Sequence, residues 1–95
     1  HLDIGYQAEI YGLLRELQEK RGKTVVAAEH NINLAAAYAG RLVFLRNGAV
    51  AAEGMPAETV TAENIRRIFD AEVEVRPNAR TGLPEISLAA AEDLP

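Results

Sequence analysis

Apolar positions recur along this chain with two different periods. Tyr6, Ile10, Leu13, Leu14 and Leu17 fall on one face at helical spacing. They predict a helix from about Ile4 to Arg21 with its stripe turned to a core. Asp3 can cap the start, and Gly22 suits the position just past the end. Glu16 and Lys20 form a favourable i, i+4 pair, and Lys20 and Arg21 complement the negative end of the helix dipole. Thr24-Val25-Val26-Ala27-Ala28 then runs apolar or β-branched without polar alternation. Such a run reads as a strand buried on both faces, as in a parallel sheet covered by helices. It stops at Glu29-His30-Asn31, just before a short helix through Leu34 to Ala39 that Asn31 or Asn33 could cap and Gly40 would end.

Leu42-Val43-Phe44-Leu45 is a second apolar strand. With the first it predicts a right-handed βαβ crossover and two parallel strands. Asn47-Gly48 tolerates positive φ at both central positions and so predicts a type I′ hairpin turn. Val50-Ala51-Ala52-Glu53 returns antiparallel and Gly54 closes it, which makes the sheet mixed. Pro56 suits the first position of a helical turn through Val60. Thr61 caps a helix from about Ala62 to Phe69, with Ile65, Ile68 and Phe69 inward. Glu72-Val73-Glu74-Val75 alternates as a strand with one solvated face should. Positions 77–82 form a loop, Glu85-Ile86-Ser87-Leu88 pairs back as a final strand, and the tail from Ala89 frays. The expected class is α/β.

The 95 residues, 48% hydrophobic and 25% charged, have a globular composition. There is no cysteine, which excludes a disulfide framework and a thiolate metal site. A net charge of −4 with scattered basic residues argues against a nucleic-acid surface, because phosphate binding needs a basic patch. No apolar run approaches the roughly 20 residues needed to cross a bilayer. Two parallel strands and a hairpin leave the first strand uncovered, and the chain opens on His1 in mid-motif. Both features lead to the expectation that this is a piece of a larger domain.

Three stretches invite a chemical reading. Gly22-Lys23-Thr24 matches the tail of a phosphate-binding G-x-x-x-x-G-K-[ST] loop, but position 17, where the first glycine belongs, is Leu17. The triplet also follows a helix and opens a strand, the reverse of what cradling a phosphate requires. Glu29 beside His30 invites an acid–base pair, yet neighbours on a strand point to opposite faces. His30 itself lies just beyond the carboxyl end of the apolar strand, where open α/β sheets bind ligands.

The order of features resembles a known family. A Leu-Asp turn opens a helix, and an apolar strand ends in His. The helix Asn-Leu-Ala-Ala-x-Tyr-Ala follows, then Arg-Leu-Val-Phe-Leu, an Asn-Gly turn and a strand ending Glu-Gly-x-Pro. Positions 1 to about 75 resemble the C-terminal part of an ABC transporter ATP-binding subunit. The nearest likeness is to importer ATPases for iron-siderophore, haem and vitamin B12, with 76–95 as a partly disordered extension.

The resemblance implies roles residue by residue. His30 matches the switch histidine, or H-loop, which contacts the γ-phosphate of ATP and helps to orient the attacking water. A histidine can donate to a phosphate oxygen and hold such a geometry. Leu2 and Asp3 match the end of the D-loop, which crosses the interface of two ATPase subunits. Asn31 stands where the family usually has Asp, and caps a helix equally well. The Walker A lysine, Gln loop, signature and Walker B carboxylates are not among these residues. ATP and Mg²⁺ are therefore expected as cofactors of a full-length parent, and the chain alone is expected to be inactive. The implied partners are a second ATPase subunit in a homodimer, transmembrane permease subunits and a solute-binding protein. The implied location is the inner face of the cell membrane. A non-transport ABC ATPase and a stand-alone interaction module are the alternatives.

Overall fold

The computed structural model describes residues 3–88. Expectations for His1, Leu2 and the tail 89–95 lie outside the described residues.

Helix α1 (Ile4–Arg21) begins and ends as its local chemistry dictates. Asp3 Oδ1 accepts from the Tyr6 amide at 2.8 Å. Gly22 closes the helix in the left-handed region, at φ 63°, and donates its N–H to the Leu17 carbonyl. Helix α2 (Ile32–Tyr38) is capped by Asn31, whose Oδ1 accepts from the Leu34 amide at 3.1 Å. It ends at Ala39, in extended backbone, one residue before Gly40.

Strands β1 (Leu42–Arg46) and β2 (Ala49–Gly54) form an antiparallel hairpin. Asn47 and Gly48 both take positive φ, 53° and 77°, as a type I′ turn demands. The register slips between Phe44 and Leu45, leaving Ala51 as an extra residue on β2. The Ala51 carbonyl accepts from Arg67 Nη2 at 3.0 Å, so the bulge costs no acceptor. Helix α3 (Pro56–Thr59) starts on proline, and α4 (Ala62–Phe69) on Thr61, whose Oγ1 accepts from the Asn64 amide at 3.1 Å. Strands β3 (Val73–Pro77) and β4 (Pro84–Leu88) make a second antiparallel pair.

The core gathers Ala36 of α2, Leu42 and Phe44 of β1, Val60, Ile65 and Ile68 of α4, and Val73 of β3. Its largest fully buried side chains are Ile65, Ile68 and Val60. Asn33 locks β4 onto α2: its Oδ1 accepts from the Ile86 amide at 2.7 Å and its Nδ2 donates to the Ile86 carbonyl at 3.0 Å.

Three expectations need correction. Thr24 to Ala28 forms no ladder, and both sheets among the described residues are two-stranded and antiparallel, so no parallel crossover is present there. Backbone groups in a parallel strand pair only with neighbouring strands, and none of the described strands lies beside this segment. Val26 is accordingly 93% exposed. The apolar stripe of α1 is not core: no α1 residue is buried, and Leu13 is 58% exposed. Phe69, expected inward, is also exposed, touching Phe44 edge-on with ring centroids 6.0 Å apart. It is the last residue of α4, where the helix turns out through Asp70 in the left-handed region.

Candidate functional site

The chain from Gly22 to His30 is exposed throughout and connects α1 to α2. His30 sits at its end, one residue before the Asn31 cap. Its ring is therefore presented at the surface next to the start of α2 and is not packed among core side chains. Asp3 lies at the other end of α1, where one carboxylate oxygen serves the helix cap. Leu2 is outside the described residues.

Glu29 links the main chain at His30 to α1, and α1 in turn touches α2. Glu29 folds back over the backbone: its Oε1 accepts from the His30 amide at 3.1 Å and from the Asn31 amide at 3.0 Å. Its Oε2 accepts from the Tyr11 hydroxyl on α1 at 2.5 Å. Glu29 thus serves the main chain at His30 rather than the imidazole. The Tyr11 ring lies against Tyr38, the last residue of α2, with centroids 5.2 Å apart and planes tilted by 38°. Arg15, one turn after Tyr11, stands 5.4 Å over the Tyr38 ring. Its Nη2 also donates to the carbonyls of Ala37 and Tyr38, at 3.2 and 3.4 Å. A cation at the last carbonyls of a helix is favoured by the helix dipole. One face of α1 therefore grips α2 at its C-terminal end through Arg15 and reaches its N-terminal approach through Tyr11 and Glu29.

The electrostatics follow from these contacts. The Tyr11 hydroxyl is pushed up to about 12, first by its hydrogen bond to Glu29, then by burial and the Glu29 charge. The Glu29 carboxyl is held below its ordinary value, first by the Tyr11 hydrogen bond and then by the Asn31 amide. At neutral pH the pair is a neutral phenol donating to a carboxylate.

In the sequence, Arg15 is one of the scattered basic residues and Tyr11 lies off the apolar stripe of α1. The available signal was their i, i+4 spacing, which puts both on one face of α1. What lay opposite that face was not legible.

An open depression of about 590 Å³ lies between α1 and α3, lined by Arg15, Gln18, Tyr38, Met55 and Leu83 among others. A second, of about 690 Å³, lies along α4 and β3. His30 lines neither. Among the described residues, no group of three or more His, Asp or Glu side chains is placed to hold a metal ion. No helix among them is long and apolar enough to cross a membrane.

No protein-family model matches the chain. Individual proteins do. The chain is 40% identical over 83 residues to the ferric enterobactin transport ATP-binding protein of Escherichia coli K12, covering 87% of this chain and 31% of that protein. It is 41% identical over 83 residues to the hemin import ATP-binding protein of Rhodopseudomonas palustris, covering 87% of this chain and 30% of the relative. Its homologues are ATP-binding subunits of iron-siderophore and haem importers. The petrobactin import ATP-binding protein of Bacillus subtilis is a further such relative, 35% identical over 85 residues. The chain spans about 30% of the length of the first two relatives. Its fold is that of a chain from an inward-facing ABC transporter assigned to the metal-chelate type. The TM-score is 0.80 at 21% identity, over 98% of this chain and 38% of the other.

Proposed function

We propose that this chain is the C-terminal part of the ATP-binding subunit of an ABC importer for iron-siderophore, haem or cobalamin, with His30 as its switch histidine. The observation that carries this reading is a likeness of 35 to 41% identity to importer ATP-binding proteins across most of the chain. Positions 1–75 are its contribution to the ATPase domain and 76–95 an extension.

In this reading two subunits pair as a homodimer under transmembrane permease subunits, on the inner face of the cell membrane, supplied by a solute-binding protein. ATP with Mg²⁺ binds between the subunits. His30 donates a hydrogen bond to the γ-phosphate, where charge develops during phosphoryl transfer. Leu2 and Asp3 lie along the subunit interface. Exposure of His30 at a loop end supports the reading, because a nucleotide can reach it there. The Asp3 cap supports it as well, since it orders the first turn of α1 directly after the interface loop.

The test is ATP turnover by the full-length subunit. His30→Ala removes a donor to the transferring phosphoryl group, a loss on the order of 10²–10³ in rate for contacts of this kind. ATP turnover close to that of the unaltered subunit would overturn the assignment.

A further inference from the structure

Few hydrogen bonds hold residues 24–30. Apart from the Tyr11–Glu29 contact and the two amides that Glu29 accepts from, the described residues show none. A strand ladder over 24–28 would fix the backbone up to Ala28, but His30 lies past the end of that run. What holds the chain at His30 is therefore its immediate neighbour, and what holds that neighbour is a helix 18 positions away.

We propose that Tyr11 and Glu29 are positioning residues for His30: the Tyr11 hydroxyl anchors the Glu29 carboxylate to α1, and the carboxylate pins the main chain of His30 and Asn31. The proposal rests on the reading of His30 as the γ-phosphate contact. Three N–H or O–H groups converge on one carboxylate, and charge-assisted bonds of this type are shorter and stronger than neutral ones. The base of the tether is itself held, because Tyr11 lies against Tyr38 and Arg15 grips the last carbonyls of α2. With the amides at 30 and 31 both aimed at Glu29 Oε1, the backbone torsions from which the His30 side chain departs are restricted. A phosphate-sensing donor gains from this, since small misplacements at a phosphoryl-transfer site carry large rate penalties. The phenol–carboxylate pair keeps the donor and acceptor states this tether needs through the neutral range.

The experiment uses the full-length subunit and separates kcat from KM for MgATP. Tyr11→Phe removes one hydroxyl and should lower kcat about fivefold, the worth of a typical hydrogen bond, with KM changed by less than about twofold. Glu29→Ala should lower kcat about tenfold, since it frees both amides. The double variant should be no slower than Glu29→Ala alone, because both changes cut one tether. Glu29→Gln should restore the rate, because the amide oxygen still accepts from the two backbone N–H groups and its nitrogen can donate to the Tyr11 oxygen. Native kcat in Tyr11→Phe would overturn the tether even if its Tm fell, since a merely structural contact moves stability and not turnover. A rise in KM matching the fall in kcat/KM would overturn it too. If His30→Ala slows ATP turnover while Tyr11→Phe and Glu29→Ala do not, only the tether is lost. If His30→Ala turns over normally, the reading of His30 falls and the tether falls with it.

Discussion

Helices α1 and α4 both carry apolar residues at helical spacing, yet they behave differently. Helix α4 buries Ile65 and Ile68 almost completely, against β1, Val60 and β3. Helix α1 is longer, carries more apolar residues on its stripe and buries none of them. The Thr24–Ala28 run beside it is likewise uncovered. An apolar period states that a face is suited to burial; burial itself needs a partner surface, and only α4 has one among the described residues. Helix α1 is attached instead by polar and aromatic contacts, through Tyr11, Arg15 and Tyr38.

The sharpest way to break this comparison is truncation on each side. Ile65→Ala or Ile68→Ala opens a cavity in the core and should cost about 2–5 kcal/mol in urea unfolding. Leu13→Ala on the exposed stripe of α1 should cost no more than about 0.5 kcal/mol. Equal losses would mean that α1 is packed in solution against a surface the described residues do not include. A smaller effect sharpens the account of what organises the second half. Asn33→Ala leaves the Ile86 amide and carbonyl without partners, at a cost of about 1–3 kcal/mol. Hydrogen exchange at Ile86 should rise, with β1 and β2 unaffected.

The smallest effect concerns the attachment of α1. Glu29 titrates below its unfolded value, so its contribution is present above the ordinary carboxylate range and is lost as pH falls through the lowered value. Tyr11 titrates above its unfolded value, so its contribution is complete below pH 10 and is lost as pH rises through about 12. The side-chain carboxyl-carbon chemical shift of Glu29 should therefore move at acid pH with its own protonation and again at alkaline pH as Tyr11 ionises. Exposure keeps the energy small. Tyr11→Phe should remove the alkaline movement; an unchanged alkaline limb would separate Tyr11 from the loop.

What sequence alone determined was local. The caps at Asp3 and Thr61, the left-handed Gly22, the type I′ turn at Asn47-Gly48 and proline at the start of α3 all appear where residue chemistry put them. Each is satisfied by atoms within a few residues, so no distant partner has a vote. His30 was expected just beyond the end of a buried strand; the structure has it at the end of an exposed connection instead. Tertiary structure alone decided which apolar faces found cover, that Asn33 would bind β4 while Asn31 took the cap, and that Glu29 would serve the main chain of His30 under the hand of Tyr11. Those outcomes depend on groups far apart in sequence meeting across space, and spacing along a chain carries no record of what stands opposite.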